Sequence, residues 1–284
     1  MEVRITSSSE FSSEGGEGMK TFSPQKAAVQ AIIERIDAEY HRVLTLEELA
    51  AHVSYSKFHA ERLFQRRTGL SISQYLSLVR IEKSKELLMH SRESVGDISA
   101  RVGYVSVSTF SRTFKEYVGI QPNVFRKMYR DLEGAIVPQM SSRPDAPGGI
   151  GGGSAISGVV TADRPVKGLI LIGLFAEPAP KGAPLSCTLL REAGPFTLTG
   201  VADGQYFAFA LALEFPWISS SYFSNSHGLR GRAHLPVSVR QGSEHGPIRI
   251  HLRPPLVTDP PIAVSPLYLL QNFWSKRWQM SNPG

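Results

Sequence analysis

A single cysteine, Cys187, in 284 residues leaves no partner for an internal disulfide and no set of thiolates for a cysteine-based zinc site. So low a thiol content fits a reducing compartment. Long apolar runs are also missing. The strongest, Gly168 to Ala176, is half the roughly 18 residues that a membrane-spanning helix needs. The amino terminus, Met1-Glu2-Val3-Arg4 followed by a Ser/Gly/Glu tract, has neither the basic start nor the apolar centre of a signal peptide. A cytoplasmic protein with no membrane partner is the expectation. Charge of one sign is scarce over most of the chain. Residues 24–130 hold 17 of the 31 Lys+Arg and 11 of the 25 Asp+Glu, so the net +6 sits there and the remainder balances. Solvated helices are commonly Lys/Arg-rich, so this excess alone only leans toward nucleic acid.

What is present falls into two halves, as the length suggests. Residues 1–23 form a polar lead with too little apolar surface to fold by itself, and Met19 within it is a second candidate start. Ser23-Pro24 then has the pattern of a helix start, with Ser as cap and Pro at the first helical position. From Gln25 to Tyr129 apolar residues recur at three- and four-residue spacing, which predicts helices. Residues 134–154 are rich in Gly, Pro and Ser, from Ser141 to Ser154 above all, and predict a flexible linker. Seven short β-rich runs follow: Ile156–Thr161, Gly168–Phe175, Leu185–Arg191, Phe196–Thr199, Gln205–Leu213, Ala233–Arg240 and Ile248–Leu252. Gly and Pro separate them, which predicts a β-sandwich over 155–284, closed by a short packing helix at Leu267–Trp278.

The helical half repeats itself. Leu49-Ala50-Ala51-His52-Val53-Ser54-Tyr55 returns 49 positions later as Ile98-Ser99-Ala100-Arg101-Val102-Gly103-Tyr104. Arg62-Leu63-Phe64 returns 50 positions later as Arg112-Thr113-Phe114, and Gly69 as Gly119. Each copy has the anatomy of a helix-turn-helix: a short helix with Leu49 or Ile98 inward, a turn, then a second helix capped in the first copy by Ser56. Six core helices with incidental surface arginines would explain the periodicity. They would not explain why both copies keep an outward Arg two residues before an inward Phe.

Lys57-Phe58-His59-Ala60-Glu61-Arg62-Leu63-Phe64 with Thr68-Gly69 resembles the first helix-turn-helix of the AraC/XylS transcription regulators. Asp97-Ile98-Ser99-Ala100-Arg101-Val102-Gly103-Tyr104, then Ser108 to Lys115, Gly119, Pro122 and Phe125-Arg126 resemble the second. Arg80 to Leu88 is similar to the helix that links them. The resemblance covers about a third of the chain, residues 24–133 containing it. It implies an all-α double helix-turn-helix domain that inserts two recognition helices into successive major grooves of operator DNA. It also implies RNA polymerase as a partner, with activation or repression of transcription left open. Base contacts then fall to Phe58, Glu61 and Arg62 in the first unit and Val107, Ser108 and Arg112 in the second. Phosphate contacts fall to Lys57, Arg66, Arg67, Lys115, Arg126 and Lys127.

The second half resembles, more loosely, the prealbumin-like sandwich of carboxypeptidase regulatory domains, through Pro165 to Ile172 and Pro195 to Phe209. The resemblance implies a binding or scaffolding role, here a small-molecule effector site or a homodimer contact. Loop aromatics Phe215, Trp217, Tyr222 and Phe223 could line such a site or cap the sandwich. His227, His234, His245 and His251 match no metal-ligand spacing, so no metal or cofactor is expected. Arg249, His251 and Arg253 alternate with Ile248, Ile250 and Leu252 and should form a basic outer stripe. A repair methyltransferase would need an activated thiolate, and Cys187 has no basic neighbour in sequence, so no enzyme is expected. The alternative is an architectural DNA-binding protein without effector control.

Overall fold

The computed structural model describes residues 23–132, 153–214, 228–240 and 247–266. The polar lead before Ser23, most of the linker, the loop aromatics 215–223, His227, His245 and the helix expected at 267–278 lie outside them.

Seven helices build the first half: α1 Pro24–Glu39, α2 Leu46–His52, α3 Lys57–Thr68, α4 Ile72–His90, α5 Val95–Arg101, α6 Val107–Val118 and α7 Pro122–Leu132. Local chemistry sets their ends. Thr45 and Glu48 form a capping box at α2, and Ser94 and Asp97 form one at α5. Ser56 and Ser106 cap α3 and α6, and Gly69 and Gly119 end them in the left-handed conformation. Ser23 makes no side-chain cap at α1, contrary to expectation. Its carbonyl instead accepts from the Lys26 and Ala27 amides. The 19-residue α4 is the hub, touching α1, α3, α5, α6 and α7.

Eight strands follow: β1 Ser154–Ala162, β2 Gly168–Phe175, β3 Ser186–Leu190, β4 Pro195–Val201, β5 Gly204–Glu214, β6 Arg230–Arg232, β7 Val237–Val239 and β8 Ile248–Leu252. One sheet runs β4-β1-β8, the other β3-β2-β5-β6 with β7 also on β5. Pairing is antiparallel except between β1 and β8. The two sheets enclose a core that includes Ile156, Leu198 and Ile250 from the first and Ile170, Ile172 and Ala210 from the second. The strand expected at Ala233–Arg240 is confined to β7, and β6 before it was not expected. Pro236 has no N–H for a ladder, and Leu235 beside it points to solvent.

Alternation along β2 and β5 gives the larger sheet a second apolar face. Leu169, Leu189, Leu211 and Leu213 belong to one core with the helices, together with Ala179 and Ala263. The halves therefore pack on each other. Lys85 of α4 is fully buried at that junction. Its ammonium lies 2.5 Å from Glu82 Oε1 and donates to the Ala263 carbonyl at 3.1 Å. Burial pushes the Glu82 carboxyl up, and the Lys85 ammonium pulls against that shift. The expected basic stripe on β8 is mostly engaged. Arg253 holds Asp259 with two bonds of 2.7 and 2.8 Å, and His251 meets Thr161 at 3.0 Å and Asp163 at 3.3 Å.

Candidate nucleic-acid interface

The two recognition helices stand on one duplicated frame. Ser54 and Gly103, matched in the repeat, both take positive φ, 58° and 89°, and turn the chain between helices. Ser54 is the one non-glycine residue with positive φ among the described residues. At Gly103 a side chain would also collide, since a Cβ there would sit 2.7 Å from the His41 carbonyl oxygen. The extra residue of the second copy is Val105, fully exposed in its turn.

These turns bring Leu63 and Phe64 of α3, and Phe110 and Phe114 of α6, into the core with at most 1% of their surface exposed. The opposite faces are left to solvent. Phe58 is 69% exposed and Val107 44%, large apolar side chains that a monomer without a partner gains nothing by exposing. Arg62, Ser108 and Arg112 are exposed on the same two helices. Arg62, Arg66, Arg67, Arg112, Lys115 and Lys127 are exposed and form no ion pair with any described carboxylate. Cations held out in this way suit an anionic ligand.

Three residues expected at this surface are engaged within the protein. Glu61 Oε2 accepts from the Ile72 amide at 3.4 Å, at the first residue of α4. Arg126 Nη2 donates to the Glu93 carbonyl at 2.6 Å and ties α7 to the segment before α5. Burial, then the nearby Arg130 charge, lower its pKa. Lys57 lies 3.0 Å from Glu47 of α2 and 5.4 Å from the Phe58 ring centroid. Its hydrogen bond holds the Glu47 carboxyl below the usual range.

One positioning residue carries no sequence signal of its role. Arg80 of α4 donates from Nε to the Tyr40 carbonyl and from Nη2 to that of Arg42, both at 2.8 Å. Its guanidinium also lies 5.6 Å from the centroid of the Tyr104 ring in the second turn. Arg80 thus rivets the loop before the first unit to the turn of the second, and burial lowers its pKa. Tyr104 is pushed up to about 12, chiefly by burial.

The same segment matches known proteins in sequence. A family profile described as a helix-turn-helix domain matches residues 49–128. The Msm operon regulatory protein of Streptococcus mutans is 33% identical over 105 residues, 37% of this chain and 38% of that protein. The chain thus spans well under half of that relative. The multiple antibiotic resistance protein MarA of Escherichia coli is 31% identical over 98 residues, 34% of this chain and 77% of MarA. The solved DNA-binding domain of AdpA, in complex with a target DNA, is 27% identical with a TM-score of 0.35, covering 42% of this chain and 99% of that one. No helix among the described residues is long and apolar enough to cross a membrane. With its duplicated frame, and with three quarters of MarA aligned to it, the chain belongs to the AraC family of helix-turn-helix transcription regulators.

Proposed function

We propose that the chain is a sequence-specific regulator of transcription that places α3 and α6 in successive major grooves, about one helical turn or ~34–36 Å apart. The observation that carries this reading is the matched pair Arg62 and Arg112, exposed and without ion pairs to any described carboxylate on two helices capped and turned alike. Arginine can bridge guanine O6 and N7, Phe58 and Val107 can meet thymine methyls, and Ser108 can donate or accept. Arg66, Arg67, Lys115 and Lys127 supply phosphate contacts, which set register without reading sequence. Lys57 joins them from its place beside Glu47. Glu61 keeps Oε1 for a cytosine amine while Oε2 holds α4, and Arg126 contributes by fixing α7. RNA polymerase in the cytoplasm is the partner that such a regulator acts on, with activation the expected direction. The sheet region, read as prealbumin-like, is the regulatory half.

DNA selected from random sequence provides the test. Arg62→Ala and Arg112→Ala should each cost about 1–3 kcal/mol and relax preference over a few base pairs, in two patches about one turn apart. Equal weakening on every sequence would mean that the arginines hold only phosphates, and the proposed readout would fall.

A further inference from the structure

An apolar cavity of about 560 Å³, its open mouth included, lies on the helix-facing side of the larger sheet. One glycine lets its lining close in. Gly173 of β2 pairs with Cys187 of β3 on one side and Phe209 of β5 on the other. A Cβ at Gly173 would stand 3.0 Å from the Pro184 side chain and 3.1 Å from the Phe175 ring. Its φ is not in the left-handed region, so the glycine here serves space and not backbone conformation. Pro180 and Pro184 of the β2–β3 loop and Ile262 form the walls. No charged side chain lines the cavity among the described residues, and Cys187 and Thr188 are its only polar side chains.

The loop that walls the cavity also touches α6 and passes near the glycine that ends α3. Lys181 lies 3.2 Å from Glu116 of α6, 2.7 Å from Glu177, and 4.9 Å from the centroid of the Tyr117 ring. The Gly182 amide donates to the Tyr117 carbonyl at 2.9 Å. Pro178 packs near Gly69, the residue that ends α3, within 3.8 Å of where a Cβ there would lie. One ten-residue connection, 176–185, therefore borders the cavity, holds the carboxyl end of α6 and lies near the glycine that ends α3.

We propose that this cavity binds a small uncharged apolar molecule, a single aromatic ring or a short hydrocarbon chain, and that its occupancy changes DNA affinity through this loop. The inference rests on the DNA-binding reading above for its second half only. Lining of this kind rewards apolar contact and penalises a buried charge that finds no counter-ion. A ligand that displaces Pro180 or Pro184 must shift Lys181 and Gly182 with them. The coupling then equals the ligand's preference for one loop position over the other.

Cys187, the chain's sole thiol, supplies a reporter inside the cavity. The full chain is titrated with toluene while the rate of Cys187 modification by a thiol reagent, the melting midpoint and the affinity for selected DNA are followed. Toluene should slow modification about tenfold and raise the midpoint, as binding to the folded state requires. It should change DNA affinity about fivefold or more. Benzoate, similar in shape but charged, should do neither. Lys181→Ala should keep the protection and lose most of the affinity response. Toluene that changes neither rate nor midpoint overturns the site. Protection without any change in DNA affinity overturns the coupling. A thiol that reacts only after residues 267–284 are removed shows that the chain's own carboxyl-terminal residues fill the cavity, and overturns the small-molecule reading. Failure to select any preferred DNA would instead count against the function proposed above, with thiol protection still reporting on the cavity.

Discussion

The two helix-turn-helix units agree where the backbone must be told what to do and differ where it must be filled. Both open with a capping box, turn through a left-handed residue, restart on a serine and stop on a glycine. At matched buried places, however, the first unit has Ala60 and the second Phe110. Phe110 packs against Tyr104 and Phe114, and Phe114 against Phe125 of α7, with centroids 5.4–5.7 Å apart. The first unit instead has an edge contact of Phe64 with Tyr75 of α4 and a tilted contact of Tyr55 with His59, with no phenylalanine packed on phenylalanine among the described residues. Duplication has thus kept the punctuation of the motif and let its interior diverge.

The interiors should respond most strongly to mutation. Phe110→Ala gives the second unit the residue that the first already has, yet should destabilise by about 3–5 kcal/mol, because its surroundings were shaped around a ring. The reciprocal Ala60→Phe should cost about 1–3 kcal/mol by overpacking. Chemical denaturation would show it, and tolerance of either swap would mean that the two interiors are interchangeable after all. A smaller effect is expected at the turns. Gly103→Ala should cost about 1–3 kcal/mol, from the strained φ and from the His41 carbonyl in its way. Ser54→Gly should be neutral or stabilising by under about 1 kcal/mol, since Ser54 already bears a positive φ. Equal penalties at both turns would deny that the first unit's loop constrains the second. Smallest and most alike should be the caps. Thr45→Ala and Ser94→Ala should each lower stability by about 1 kcal/mol. A difference of more than about twofold in melting shifts would show that the two short helices are not equally dependent on their boxes.

Much of the helical half was legible because its signals are local. A cap lies three residues from the amide it serves, and a repeat declares itself by shift. Strand positions were legible for the same reason, with β2 and β8 as expected, β7 shorter than expected and β6 missed. Arg80 was not legible. The carbonyls it holds lie 38 and 40 residues away, and within α4 it reads as one more solvated charge. Lys85 reads the same way in Lys83-Ser84-Lys85-Glu86, yet it is fully buried against Ala263. The run Gly168–Phe175 is apolar on both faces, but such a run reports that both faces are covered and not what covers them. The helices proved to cover its outer face, and the Gly/Pro-rich stretch between the halves gave no hint of that.

The bond from Lys85 to Ala263 spans 178 residues and sets an order of events during synthesis. The helices leave the ribosome first and can form their turns and caps at once, since each is local. The buried lysine of α4 acquires its carbonyl partner only when nearly all of the described chain has been made. Until then its ammonium group and the apolar surface around it face water. The packing of the helical half is therefore completed only once the sheets have been translated, and a chain cut short within its sheets would present helices that lack this brace.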